Sequence, residues 1–177
     1  MKYLAFLRAI NVGGKNKITK DEQIALFEDV GGNNVDAYLN TGNIVFSTEE
    51  PIDEINTAVE EQLSRKFGTD MPVMIFLFDI IENLVANPPF EGEEPADGYR
   101  WYATLLRDTT RTMEIPSVYS ISTGDYQFIH QQDGVVFTVL KRKKAGASPN
   151  AYLERTLETF CTTRNWNTMQ RIVERWA

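Results

Sequence analysis

The spacing of apolar residues in the first half of the chain predicts alternating strands and helices. Four short runs are rich in strand-forming residues, and they cover residues 3–10, 35–39, 44–47 and 71–78. Apolar residues recur at helical spacing after Thr19 and again after Pro51. The predicted order is therefore strand, helix, strand, strand, helix, strand, followed by a short helix over residues 79–86.

Capping and turn residues mark where these elements begin and end. Thr19 and Glu22 match the capping box that opens a helix. Gly31 and Gly68 follow the two helical patterns and supply the left-handed conformation in which helices commonly stop. Residues 40–43, Asn-Thr-Gly-Asn, are typical of a tight hairpin between two strands.

The second half repeats this order with one weak place. Strand-like runs cover residues 100–107, 126–131, 135–140 and 161–164. A helix is expected after Pro149, with Leu153, Leu157 and Phe160 on its apolar face, and a last helix closes the chain. The helix expected within residues 108–125 is degenerate or absent, because Pro and Gly interrupt that segment.

These patterns predict an α+β protein with two tandem ferredoxin-like (βαββαβ) units, each followed by a helix. Residues 1–89 are expected to form the first ferredoxin-like unit and residues 100–177 the second. Residues 90–99 are acidic and contain Gly and Pro, so they are expected to be a linker.

Charge is segregated along the chain. The net charge of −7 argues against indiscriminate nucleic-acid binding, because that affinity comes from Lys and Arg that neutralise phosphates. Yet residues 1–20 contain five Lys or Arg and no acid, whereas residues 21–100 contain three against eighteen acids. Such segregation focuses a positive field locally, even on an acidic molecule.

Several chemistries are not supported by the sequence. One cysteine, Cys161, and one histidine, His130, leave no disulfide, no zinc site and only a poor thiol dyad, so no metal or cofactor is expected. The acidic run at residues 91–97 is better explained as a solvated linker than as a metal site. Without a secretory leader or a membrane-length apolar run, the expected compartment is cytoplasmic, with no membrane partner.

Three segments together resemble a known family. They are INVGGKNK in the first turn, YLNTGNIVFS at the hairpin and TTRNWNT near the end. In this order they are similar to the bacterial family called domain of unknown function 1697. The resemblance implies tandem ferredoxin-like units and no established activity. The chain departs from the family at Ala9, where the family usually has glycine, and at its basic segment KRKKAGASPN.

The first turn has glycines and lysines but does not match a phosphate-binding P-loop. That motif is G-x-x-x-x-G-K-[ST], and here Ala9 replaces its first glycine and Asn16 its hydroxyl residue. Gly13 and Gly14 are better explained as turn residues with positive φ. The same sheet edge is nevertheless expected to carry the hairpin at residues 40–43. We therefore predict a first ligand-binding rim there, consisting of Arg8, Asn11, Gly13, Gly14, Lys15, Lys17 and Asn43.

A second ligand-binding rim is predicted at the opposite edge of the second sheet. The third strand of that unit runs into four basic residues, and the parallel fourth strand runs into an Arg-Asn-Trp sequence. Cations beside an exposed aromatic ring can hold backbone phosphates and stacked bases. This predicted rim consists of Lys141, Lys143, Arg164, Asn165 and Trp166.

The leading functional hypothesis is binding of a phosphorylated ligand, a nucleotide or single-stranded nucleic acid on these basic edges. Cations would neutralise charge, carboxamides would give directional bonds, and Trp166 would stack. One alternative is an enzyme that acts on a phosphorylated metabolite, with unidentified catalytic residues. Another is a protein–protein module whose acidic residues 79–97 dock a basic partner. Whether the protein is an enzyme, and its oligomeric state, have no signature in the sequence.

Overall fold

The structure is a computed structural model that describes residues 1–90, 98–115, 126–141 and 148–177. Within these residues the protein is mixed α+β, with two four-stranded antiparallel sheets and five helices. Contacts divide the chain into a first unit, residues 1–81 with Trp176, and a second unit, residues 82–175 with Ala177. No helix in the described ranges is both long and apolar enough to cross a membrane.

The first unit has the element order that the sequence predicts. Its elements are β1 (Lys2–Leu7), α1 (Lys20–Glu28), β2 (Asn33–Tyr38), β3 (Asn43–Ser47), α2 (Ile52–Phe67), β4 (Val73–Leu77) and the start of α3 (Phe78–Ala86). The strands lie in the order β2-β3-β1-β4, with every neighbouring pair antiparallel. The ends of β1 and β2 and the start of β3 therefore meet at one edge of the sheet.

Local signals of the sequence explain the bounds of the helices. Thr19 and Glu22 form both bonds of the capping box, and Gly68 ends α2 in the left-handed conformation with a φ of +69°. The apolar faces of α1 and α2 cover one face of the sheet, where Phe27, Phe46 and Leu63 are almost fully buried. This burial supplies the main driving force for the first unit.

The second unit repeats the strand order. Its elements are β5 (Tyr99–Leu106), β6 (Tyr126–Gln132), β7 (Val135–Lys141), α4 (Asn150–Leu157), β8 (Cys161–Asn165) and α5 (Trp166–Trp176). The strands lie in the order β6-β7-β5-β8, again antiparallel throughout. Helix α4 packs its Leu153 and Leu157 against Phe128 and Cys161 on one face of this sheet.

Some sequence-based bounds differ from the structure. Strand β1 ends at Leu7 rather than at residue 10, because Ala9 has a φ of +54° that no regular strand allows. Helix α4 ends before Glu158, which is left-handed, so Phe160 lies outside the helix and is 45% exposed. Residues 108–115 contain no helix, and the rest of the expected helix, residues 116–125, lies outside the described residues.

The acidic segment between the predicted units is described only at its ends, since residues 91–97 lie outside the described ranges. Phe90, which the sequence places in the linker, is buried and stacks on Trp101 with the ring centroids 4.4 Å apart. An aromatic side chain buried in this way contributes to the core of the second unit.

Candidate functional site

The loop after β1 is a miniature hairpin. The amide of Asn11 donates to the carbonyl of Asn16 over 3.1 Å, and the amide of Lys15 donates to the carbonyl of Val12 over 3.0 Å. Gly13 and Gly14 form its tip, with φ values of +58° and +76°. Two consecutive left-handed residues define a type I′ turn, which glycine adopts most easily. The glycine pair is thus explained by turn geometry, as the sequence indicates.

Asn11 joins this loop to the hairpin between β2 and β3. Its side-chain amide donates to the carbonyl of Asn40 and to the carbonyl of Ile18. Its side-chain oxygen accepts the amide of Ile18 over 3.0 Å. The expected proximity of residues 11–17 to residues 40–43 is therefore confirmed. We call residues 8–20 and 38–43 together the loop edge of the first unit.

The backbone of the loop edge is strained. Ala9, Asn11, Asn16 and Leu39 all have positive φ, between +48° and +58°, and they are four of the seven such residues other than glycine in the described chain. Asn tolerates this conformation well, whereas Ala and Leu do not. Strained residues of this kind persist only where their surroundings hold them, and they cluster at functional sites.

An open cleft of about 540 Å³ lies at the loop edge. It is lined by Asn11, Gly14, Lys17, Ile18, Thr19, Lys20, Glu22 and Asn40. The residues come from both loops and from the first turn of α1. Five lining residues are not among the predicted ligand residues, although they lie inside or beside the motifs that indicate this edge: Ile18, Thr19, Lys20, Glu22 and Asn40.

The charges of the cleft are unequally compensated. Lys20 pairs with Asp36 over 2.9 Å, and Glu22 pairs with Lys66 over 2.6 Å. The hydrogen bond from Lys66, helped by the amide of Thr19, lowers the pKa of the Glu22 carboxyl from 4.5 to about 2. Lys17 lines the cleft and is exposed, and its ammonium group makes no ion pair within the described ranges. The uncompensated charge of the cleft is therefore positive.

The other four residues of the predicted first rim are not among those that line the cleft. Gly13 and Lys15 are exposed on the loop beside it, and Arg8 is half-buried at the end of β1. Asn43 has no exposed surface, and its amide donates over 3.0 Å to both the carbonyl of Tyr38 and the hydroxyl of Thr41. The side chain of Asn43 therefore stabilises the hairpin to which it belongs. The carboxamide that is exposed at this edge is that of Asn40.

The described polar side chains of the predicted second rim make hydrogen bonds within the second unit. Arg164 is half-buried and donates to the hydroxyl of Thr162 over 2.8 Å, and burial lowers the pKa of its guanidinium to about 10. Asn165 caps α5 by accepting the amide of Asn167. The side chain of Lys141 and all of Lys143 lie outside the described part of the chain.

The stacking role expected for Trp166 needs an exposed ring, and this ring is 5% exposed. It packs against Phe90 and Phe137, with centroid distances of 5.1 Å and 5.7 Å. The indole belongs to the core because α5 begins at Trp166 and directs its first turn inward. The alternative considered for this residue, packing within the protein, is the one that the structure supports.

The two residues of the possible thiol dyad are far apart in the sheet. His130 is exposed on β6, and Cys161 is fully buried on β8, so they occupy opposite edges of the second sheet. No group of three His, Cys, Asp or Glu residues with metal-binding geometry occurs among the described residues. The acidic run considered as a weak metal site, residues 91–97, lies outside them.

Comparison with known proteins gives a family and a fold. No curated protein matches the chain. The chain is similar to a solved structure described as "conserved bacterial protein SP0830 from Streptococcus pneumoniae", with 20% identity and a TM-score of 0.67. The match covers 98% of this chain and 97% of the other, and at this identity it shows the fold alone. The family described as "Protein of unknown function (DUF1697)" matches residues 1–137, so the chain belongs to DUF1697.

Proposed function

We propose that the loop edge of the first unit binds a phosphate-bearing ligand in its cleft. The observation that carries this proposal is the cleft of about 540 Å³, in which Glu22 is neutralised by Lys66 while Lys17 keeps its positive charge. Lys15 adds a second exposed cation on the adjoining hairpin. A concave site with a local positive charge attracts anions even when the whole molecule is acidic.

Neutral donors at the loop edge add directional bonds. Gly13 and Gly14 are exposed residues, and their amide N–H groups make no hydrogen bond to other described residues. The hydroxyl of Thr19 accepts the amide of Glu22, which leaves its own proton for a ligand. Phosphate oxygens accept several such bonds at once, and bonds to a charged acceptor are the stronger ones.

The same site gives little support to the alternative of an enzyme. Glu22 is the carboxylate among the lining residues, and with a pKa of about 2 it stays ionised near neutral pH. A general acid or base works best when its pKa lies near the working pH. The loop edge is therefore better suited to binding a phosphorylated ligand than to transferring protons.

We also propose that each unit is ferredoxin-like. The support is the strand order, in which the first strand of each unit lies between the third and fourth and the second strand lies at the edge. This order with helices after the first and third strands is that of the split βαβ arrangement. The first unit has both helices, and the second unit has α4 at the later position.

A thermal-shift screen of phosphorylated compounds tests the proposed binding. A compound at a hundred times its Kd should stabilise the protein by about 2.7 kcal/mol. Replacing both Lys15→Glu and Lys17→Glu should weaken the best hit at least tenfold, because attraction becomes repulsion. Arg155→Glu is the matched control, since Arg155 is exposed on α4 of the second unit. Equal losses in the double variant and the control, or no hit at all, would contradict the proposal.

A gain of affinity provides a second test of the same site. Glu22→Gln keeps the capping-box bond, because Gln serves there as well as Glu, and it removes the negative charge and releases Lys66. We expect it to tighten binding of the best phosphorylated hit by about three- to fivefold, the size of a partly screened charge interaction. Unchanged affinity would place the ligand away from Glu22.

A further inference from the structure

We infer that the cleft recognises a compact phosphorylated metabolite of about mononucleotide size, with a hydrogen-bonding sugar or base, rather than a nucleic-acid strand. This inference rests on the proposed function of the loop edge and specifies its ligand class. Three properties of the first unit support it: the limited extent of its positive charge, the size of the cleft and the neutral groups that line the cleft.

The positive surface is short. Residues 1–20 contain five Lys or Arg and no acid, but residues 21–90 contain fourteen Asp or Glu and two Lys or Arg. One of those two cations, Lys66, is held by Glu22. Besides Glu22, the first turn of α1 carries Asp21, and the first turn of α2 carries Asp53 and Glu54. A nucleic-acid strand that extended beyond the cleft would bring its phosphates to within about one Debye length of these carboxylates. The repulsion between the like charges would oppose binding.

The cleft is much larger than a phosphate ion. Its volume of about 540 Å³ lies within the range of about 300–1,000 Å³ that is usual for sites of small organic ligands. Ile18 lies in the lining but is only 4% exposed, so the room for an organic part comes from the size of the cleft rather than from an apolar wall. A ligand with an organic part can therefore contact surface that inorganic phosphate alone would leave to water.

The side-chain carboxamide of Asn40 gives the cleft a group that can form hydrogen bonds with neutral polar atoms of a ligand. Its backbone carbonyl accepts the amide of Asn11, which fixes the loop, while its exposed carboxamide makes no hydrogen bond to the described residues. A carboxamide offers two donors and one acceptor, a pattern that fits the edge of a base or a pair of sugar hydroxyls. Lys17 and Asn40 together thus match a ligand with one anionic and one neutral polar end.

Calorimetric titration with five probes tests this inference. The probes are adenosine 5′-monophosphate, ribose 5-phosphate, inorganic phosphate, adenosine and a short single-stranded oligothymidylate. We expect one of the two phosphorylated metabolites to bind at least tenfold more tightly than inorganic phosphate or adenosine. Asn40→Ala should weaken that probe about fivefold, the usual effect of one hydrogen bond, and leave the affinity for inorganic phosphate unchanged. Gln170→Ala, which removes an exposed carboxamide from α5, is the matched control.

The outcomes separate the inference from the proposed function. If the oligothymidylate binds more tightly than both metabolites and loses affinity steeply between about 50 mM and about 200 mM salt, the ligand is a strand and the inference is overturned. If inorganic phosphate binds as tightly as the metabolites, the site recognises only the anion, and the inference is again overturned. In both cases the proposed phosphate binding stands. If no phosphorylated probe binds, the proposed function fails and the inference fails with it.

Discussion

Ala9 is a residue other than glycine that adopts a strained, left-handed backbone conformation in the loop edge. Its φ of +54° places its Cβ close to the following carbonyl oxygen, which costs about 1–2 kcal/mol for a residue other than glycine. The family resemblance implies glycine at this position, and the left-handed backbone supplies the physical reason. The protein tolerates alanine because Asn16 donates its side-chain amide to the carbonyl of Ala9 over 3.0 Å and holds the turn.

We therefore expect Ala9→Gly to stabilise the protein by about 0.5–1 kcal/mol, since relief of strain exceeds the added entropy of the unfolded chain. Urea denaturation of the full chain measures this difference. Ala58→Gly in the interior of α2 is the control, and there the same change should destabilise by about 1 kcal/mol. Destabilisation by Ala9→Gly would show that the alanine side chain contributes contacts worth more than the strain.

At the scale of elements, the sequence predicts those features that depend on neighbours in the chain. The capping box at Thr19, the left-handed stop at Gly68 and the hairpin at residues 40–43 are determined by residues a few positions apart. Whether the side chains of Asn43 and Trp166 are buried or exposed depends instead on packing between distant segments. From the sequence alone, a polar or aromatic residue beside a turn is predicted to be exposed, because the packing of the sheet and its helices that buries it is not visible in the pattern.

The hairpin between β2 and β3 depends on glycine more strongly than the exposed turn at Gly13. Gly42 has a φ of +77°, and an added Cβ would lie 2.5 Å from the Cβ of Leu7 and 2.9 Å from Cδ1 of Ile10. The amide of Leu7 also donates to the carbonyl of Gly42, so the two loops cannot separate without losing this bond. The close approach of these segments is what forms the loop edge.

Gly42→Ala should accordingly destabilise the protein by about 2–4 kcal/mol, through overpacking added to backbone strain. Gly13→Ala is the matched comparison, because Gly13 also has positive φ but an added Cβ there meets no atom within 4 Å. It should cost only about 1–2 kcal/mol. Thermal denaturation of both variants measures the difference, and equal losses would mean that the packing around Gly42 relaxes freely.

At the scale of the whole molecule, the arrangement of elements is retained where most residues differ. The streptococcal structure shares 20% identity with this chain over nearly its full length, yet the TM-score is 0.67. Periodic burial of apolar residues of suitable size, rather than particular side chains, is enough to specify the elements and the core of such a fold. The periodicity carries no information about which loop side chains come together, which is why the fold could be predicted from the pattern while the ligand residues required the assembled structure.

The two rims that the sequence predicts can be distinguished in one experiment on the full chain. Adenosine 5′-monophosphate, titrated while backbone amide resonances are recorded, should shift residues 9–20 and 38–43 and leave residues 162–167 unchanged. The reason is that Lys17 and Asn40 face the cleft, whereas Arg164 bonds to Thr162 and Trp166 is buried. Lys17→Glu should abolish the shifts at the first edge, and Arg155→Glu should not. Shifts centred on residues 141–144 and 164–166 would instead assign the ligand to the second rim, and the loop edge would then be a structural turn.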